Sequence, residues 1–163
     1  MDTMIEILPV SIRDNYEVIS GFMHLLHLHE YDLNDKTAAW KDIETSYMRH
    51  VISMQGESEG LCLMAYVNSV PAGFVFGYVE EQDDSRIEIH EGKELYVSDG
   101  FVLEEYRRMG IYRMLNAALE QHYINQGVKR IIRFTLMNNT KIRQFLEEEG
   151  YVVSRLLYEK WVE

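Results

Sequence analysis

The sequence predicts a single α/β domain built on a mixed β-sheet. Short β-branched and aromatic runs alternate with stretches whose apolar residues recur at helical spacing. The two kinds follow the order β-α-α-β-β-β-α-β-α-β, with no repeat, low-complexity tract or linker. Within that order, Leu95 to Leu119 read as strand, basic glycine turn and helix in direct succession. At 163 residues the chain has the length of one domain, 1–163, with enough material for a substantial core.

Ile5 to Val10 is a short β-prone run whose Pro9 favours an edge position. From Asp14 to His29, the residues Val18, Ile19, Phe22, Leu25, Leu26 and His29 repeat at helical spacing. The polar break EYDLNDKT reads as a loop, and Ala38 to Met54 is a second helix, striped by Trp40, Ile43, Tyr47, Val51 and Met54. Leu61 to Val67 and Gly73 to Glu80, joined by NSVPA, form a hairpin. The charged EEQDDSRIEIHEGKE connects to the next strand, with Arg86 to His90 available to extend one. That next strand runs to Leu103, and the helix after the turn ends near Gly127, placed as a C-terminal cap. Val128 to Met137 is a further strand. Asn138 and Asn139 are N-cap candidates for a helix carrying Ile142, Phe145 and Leu146 and closed by Gly150, and Tyr151 to Trp161 is a final strand.

Composition narrows the function. A formal net charge of −11 argues against a nucleic-acid partner, which calls for a basic face; it suits a cationic small substrate and serves solubility equally well. Cys62 is the only cysteine and lies inside the apolar run LCLMAYV. A buried spectator thiol follows, with no intramolecular disulfide and no thiolate metal cluster, which fits a reducing compartment. The N-terminus lacks the basic flank and long apolar core of a signal peptide, and no apolar run reaches membrane-spanning length, so a cytoplasmic protein is expected. His27 and His29 fall on different faces of a helix, so no metal site is expected there.

The stretch around Gly110 carries the chemistry. The first N–H groups of a helix have no partner inside it, so a turn that aims them outward beside arginines attracts a phosphate. We read it as a pyrophosphate cradle. A side chain at Gly110 would obstruct the approach of backbone to phosphate.

The run EEYRRMGIYRML resembles the acetyl-CoA motif R/Q-x-x-G-x-G/A of the GCN5-related N-acetyltransferase (GNAT) superfamily, with Arg107, Gly110 and Tyr112 on its three defined positions. Asn139, Ile142, Phe145, Gly150 and Tyr151 are similar to the family's later N-x-x-A-x-x-L/F-Y-x-x-x-G-F segment, and the order of elements matches along nearly the whole chain. The resemblance implies a mixed, mostly antiparallel sheet flanked by about four helices and splayed between strands 4 and 5, with acetyl-CoA in the gap as co-substrate. It implies that pantetheine pairs with backbone at Phe101 and Val102. The pyrophosphate would lie on the N–H groups of Arg108, Met109, Gly110, Ile111 and Tyr112, with Arg107 at the basic position and Arg113 and Asn139 alongside. Tyr112 departs from the family's small residue, so its ring must point away from the phosphates.

The resemblance further implies direct acetyl transfer to a primary amine, of a small cationic metabolite or an aminoglycoside-like acceptor, by a protein whose relatives commonly form homodimers. Many relatives place a glutamate base four residues before the strand-ending valine and a tyrosine acid four before the Gly-Phe pair. Here those positions are Ser98 and Leu146. Both departures keep open a non-catalytic acyl-CoA-binding or sensing module. The candidate base is a water relay through Ser98, Asp99 or Tyr96. By strand alternation Asp99 faces opposite to Ser98; it reaches the site only if the strand bulges, which Gly100 permits, and otherwise bonds nearby backbone or an arginine. Glu30, Tyr31 and Asp32 lie where relatives place the acceptor loop, to select an amine or simply to solvate a loop.

Overall fold

A computed structural model describes residues 2–81 and 92–163. Five strands form one sheet in sequence order: β1 (Ile5–Val10), β2 (Leu61–Val67), β3 (Val70–Glu80), β4 (Glu94–Val102) and β5 (Arg130–Ile132). Neighbours are antiparallel except β4 and β5, which are parallel. The four helices among the described residues are α1 (Tyr16–Leu33), α2 (Trp40–Glu57), α3 (Ile111–Asn125) and α4 (Thr140–Glu148). This is the mixed, four-helix architecture expected from the sequence.

Strands apolar at nearly every position need cover on both faces. In β2, Cys62 and Met64 point to one side, where they meet Phe22, Met23, Met48 and Phe74 beneath α1 and α2. Leu63 and Ala65 point to the other, into a core with Leu95, Leu115, Leu119 and Tyr123 under α3. The sheet therefore separates two cores, and a residue's parity on its strand decides which one it enters.

Several boundaries differ from the sequence reading. The break EYDLNDKT is not wholly a loop: nothing in Glu30 to Leu33 breaks a helix, and α1 continues until Asn34, whose N–H bonds to Glu30. The hairpin turn is only Asn68 and Ser69, both at positive φ (47° and 67°), as a tight two-residue connection between twisted strands requires. Pro71, which lacks an N–H, enters β3 at the register irregularity opposite Tyr66. The expected strand Val128 to Met137 shrinks to Arg130–Ile132, and Tyr151 to Trp161 forms no strand. Both had strand-forming composition, but a ladder also needs a partner edge, and β5 offers three residues. The expected extension at Arg86 to His90 lies outside the described residues.

The splay is present. β4 pairs with β5 only at Glu94, Leu95 and Tyr96, and the joined end is tied by an Arg130–Glu94 ion pair at 3.3 Å. From Val97 to Val102, β4 has no strand on that side among the described residues. Among the described residues no helix is long and apolar enough to cross a membrane.

Tyr123 locks α3 to the sheet: fully buried, it donates from its hydroxyl to the carbonyls of Glu59 and Gly77, at 2.6 and 3.2 Å. Tyr123→Phe keeps the shape but loses both bonds and orphans the buried Gly77 carbonyl. We expect a loss of about 1–3 kcal/mol of unfolding free energy by urea denaturation.

Candidate active site

The mouth of the splay is built by the turn between β4 and α3. After β4 the chain makes one 3-10 turn, Glu104–Tyr106, and then two left-handed residues, Arg108 (φ 67°) and Gly110 (φ 78°). Gly110 is the N-cap of α3, so the N–H groups of Ile111, Tyr112 and Arg113 lack intrahelical acceptors. A Cβ on Gly110 would touch nothing, which leaves those donors open to a cavity of about 230 Å³ lined by Val102, Arg107, Gly110, Tyr112 and Phe145.

The arginines divide their work. Arg107 Nε donates to the Val102 carbonyl at 3.0 Å, and its guanidinium lies 5.4 Å from the Phe101 ring centre. It fastens the turn to the strand end. Arg113 is drawn to α4, pairing with Glu148 and Glu149 at 3.2 and 3.1 Å. Arg108 is exposed on the turn itself. Buried Asn139 caps α4, accepting from the Ile142 N–H at 3.5 Å.

Tyr112 lines that cavity beside Phe145. Its ring packs edge-on against Phe145, and a Cβ on Gly100 would lie 3.2 Å from it. Its hydroxyl oxygen accepts from Arg133 at 2.6 Å, and Arg133 also bonds Asn116.

Asp99 occupies the other face of β4. The register passes from Phe76↔Asp99 to Gly77↔Val97, so Ser98 is an extra residue. This bulge, at Ser98 rather than at Gly100, reverses the parity of the strand and brings Asp99 to the same side as Tyr96. Tyr47 of α2 donates to Asp99 Oδ1 at 2.6 Å, and Ser98 Oγ donates to Oδ2 at 2.7 Å. Burial raises the Asp99 carboxyl above the ordinary carboxylate range, while the two donors and His50 oppose the shift.

An acidic and aromatic cluster surrounds it. Trp40 and Tyr47 rings are 6.0 Å apart, and Tyr78 and Tyr96 are 5.4 Å apart. Burial, then Asp99, then Tyr78 and Glu80 push Tyr96 up to about 12, so its phenol stays neutral. Glu30, half-buried on α1, is raised by burial and by Asp99, with His29 and His27 opposing. Tyr31 and Asp32, on the same last turn, face solvent. The structure thus brings Ser98, Asp99 and Tyr96 to one side of β4, with Glu30 within electrostatic reach of Asp99, and leaves Tyr31 and Asp32 outside.

Sequence reasoning missed Tyr47, which it assigned to a helical core stripe, and also Tyr78, His50 and Arg133. For Tyr47 a signal existed, since a tyrosine within an apolar stripe must find a partner for its hydroxyl. Cys62 is buried, and burial raises its thiol. Among the described residues no group of three His, Cys, Asp or Glu side chains could hold a metal.

Comparison with known proteins agrees with this fold. Residues 25–151 match the family described as Acetyltransferase (GNAT) family, and the chain belongs to that family. It is similar to the solved aminoglycoside N-acetyltransferase AAC(6')-Iy in complex with CoA, with 16% identity, 99% of this chain and 97% of that chain covered, and a TM-score of 0.70. An aminoglycoside acetyltransferase from an uncultured soil metagenomic sample, in complex with sisomicin, gives 16% identity, 98% and 95% coverage and a TM-score of 0.66. A Bacillus halodurans protein gives 18%, 97% and 99%, and 0.75. At such identities the likeness shows the fold alone. No curated protein matches the sequence.

The family uses acetyl-CoA. The residues present fit it: unpaired N–H groups at the α3 start, open space over Gly110, and an unpaired β4 edge from Val97 to Val102. By calorimetry, Arg107→Ala should weaken CoA binding roughly tenfold by loosening the turn. Gly110→Asp should weaken it roughly 100-fold, because it adds bulk, negative charge and strain where φ is positive. Unchanged affinity in Gly110→Asp removes the site from this turn.

Proposed function

We propose that the protein transfers the acetyl group of acetyl-CoA directly to a primary amine of a small cationic acceptor, a metabolite or an aminoglycoside-like compound. One observation carries this reading. A buried carboxylate, Asp99, with Glu30 within electrostatic reach, lies among tyrosines on the unpaired part of β4, just before the anion-binding turn. Negative potential beside aromatic faces favours a cation.

Acetyl-CoA supplies the activated acyl group when bound. An amine reaches the site protonated and attacks only when neutral. Asp99 is the acceptor for that proton, reached through the hydroxyl of Ser98 or Tyr47, which already donate to it. Tyr96 holds the acceptor by donating from its neutral phenol. The unpaired edge of β4 presents backbone N–H groups suited to a developing oxyanion. The buried thiol of Cys62 supports direct transfer without a covalent intermediate. The lone cysteine supports a cytoplasmic setting, and the working unit we infer is a homodimer.

The test is turnover. Purified protein with acetyl-CoA and a panel of polyamines, aminoglycosides, amino acids and peptides should release free CoA thiol with one class of amine; binding without turnover across the panel would make it a sensing module instead.

The pH dependence follows from Asp99. Its folded-state pKa lies above that of an ordinary aspartate because of burial, so the native state holds its proton more tightly than the unfolded chain does. Stability from this group is therefore present at low pH and is lost as pH rises through the raised pKa. Activity runs the opposite way, rising as Asp99 ionises. Asp99→Asn should remove that rising limb and lower kcat/KM about 100-fold or more. If Asp99→Asn and Tyr96→Phe both leave the pH–rate profile unchanged, the proton-acceptor assignment is wrong.

A further inference from the structure

Past the last rung of the β4–β5 ladder, Tyr96 opposite Ile132, successive residues of the chain that follows point to opposite faces of the sheet. Arg133 takes the α3 face, where it bonds Tyr112 and Asn116. Phe134 takes the α1/α2 face, and its ring stands edge-on to Tyr96 with centres 5.6 Å apart. The chain then crosses to the end of α1, where Asn138 donates to the Leu33 carbonyl at 2.8 Å. Residues 133–138 therefore run from the apex of the splay to within one helical turn of Glu30.

Phe134 is not a core residue, yet it belongs to the rings of the core. Its side chain is 76% exposed, and it ends an unbroken series of ring contacts, Tyr47 to His50, His50 to Tyr78, Tyr78 to Tyr96 and Tyr96 to Phe134, with centres 5.4 to 6.4 Å apart. The charge of Asp99 acts on all three tyrosines of the series. These rings thus border one buried carboxylate whose hydrogen bonds come from neutral hydroxyls, while the outermost ring stays largely uncovered. A lone exposed phenylalanine needs no explanation, but one joined through continuous rings to a buried carboxylate marks where the apolar part of a ligand is covered.

Such an arrangement suits a ligand with one cationic end and one apolar end. An ammonium takes the carboxylate end, where aromatic faces add to the attraction. The body attached to it then meets Phe134. A hydroxylated polycation fits poorly, because each hydroxyl laid on the phenyl face loses water without gaining a hydrogen-bond partner.

We infer that Phe134 is the acceptor-selecting wall of the site, and that the amine it admits is a monocation with an aromatic body, an arylalkylamine, rather than a hydroxylated polycation. This rests on the transfer reading above, whose acceptor it narrows.

With acetyl-CoA saturating, kcat/KM for phenethylamine should exceed the values for spermidine and kanamycin roughly tenfold or more. Phe134→Ala should raise the KM of phenethylamine roughly tenfold with little change in kcat, and Phe134→Tyr, which keeps the ring, should restore it. Because the side chain is exposed, both variants should melt with the wild-type midpoint, which separates a lost contact from a lost fold. A preference for spermidine or kanamycin, or a KM for phenethylamine indifferent to Phe134→Ala, overturns this inference and leaves acetyl transfer standing. If no amine releases CoA thiol, the transfer reading fails, and calorimetry of phenethylamine on the protein with CoA decides separately. Binding weakened by Phe134→Ala then sustains the wall; binding that is absent or indifferent to the substitution overturns it.

Discussion

One extra residue in β4 decides which core receives a carboxylate. Without the bulge at Ser98, strict alternation would send Asp99 toward the aliphatic side under α3, among Val97, Leu115 and Leu119, where nothing could solvate it. A buried charge without partners costs several kcal/mol or gives up its charge. With the bulge, Asp99 meets Tyr47 from α2 and the hydroxyl of the bulged residue itself. The same residue that turns the strand therefore supplies half of the carboxylate's hydrogen bonding, and α2 supplies the other half.

This bond also relates the two halves of the site. β4 is common to both. Its α1/α2 side presents Asp99 and Tyr96, its unpaired edge faces the splay, and its end feeds the glycine turn proposed to hold acetyl-CoA through Val102 and Arg107. An acyl donor held at the turn and edge and an amine held among the tyrosines would meet at the same few residues of one strand. That economy explains why the strand is rigidly buried along most of its length while its outer edge beyond Tyr96 lacks a partner.

The parts legible in the sequence were the local ones. Gly110 could be read because a helix start, a left-handed turn and neighbouring arginines act within a few residues. Strand composition likewise located all five strands. What could not be read depends on partners far along the chain. The bulge exists only in the register between β3 and β4, so Asp99 could be given a condition but no answer. Tyr47 shares helical spacing with true core residues, and only a carboxylate 52 positions away separates it from them. β5 and the C-terminal segment have strand composition, yet strand length is set by the edge available rather than by propensity.

Tyr112 departs from the family's small residue, and the structure gives that departure a mechanical sense. Below Tyr96 no backbone ladder fixes the separation of β4 from the chain that follows β5. The Tyr112 ring spans that interval, lying over Gly100 on one side and joined through its hydroxyl to Arg133 on the other. Arg133 has donors only, so the Tyr112 oxygen accepts, and Asn116 holds the second arm of the guanidinium while its own amide donates to the Tyr112 carbonyl. A glycine or alanine at position 112 would leave this interval without a bracket. Gly100 is the necessary counterpart, because a side chain on β4 there would push the ring off the strand and away from Arg133. The width of the splay is thus set by one aromatic side chain and its arginine, and the absence of a tyrosine at Leu146 goes with it: Leu146 is buried, while its neighbour Phe145 packs against the Tyr112 ring.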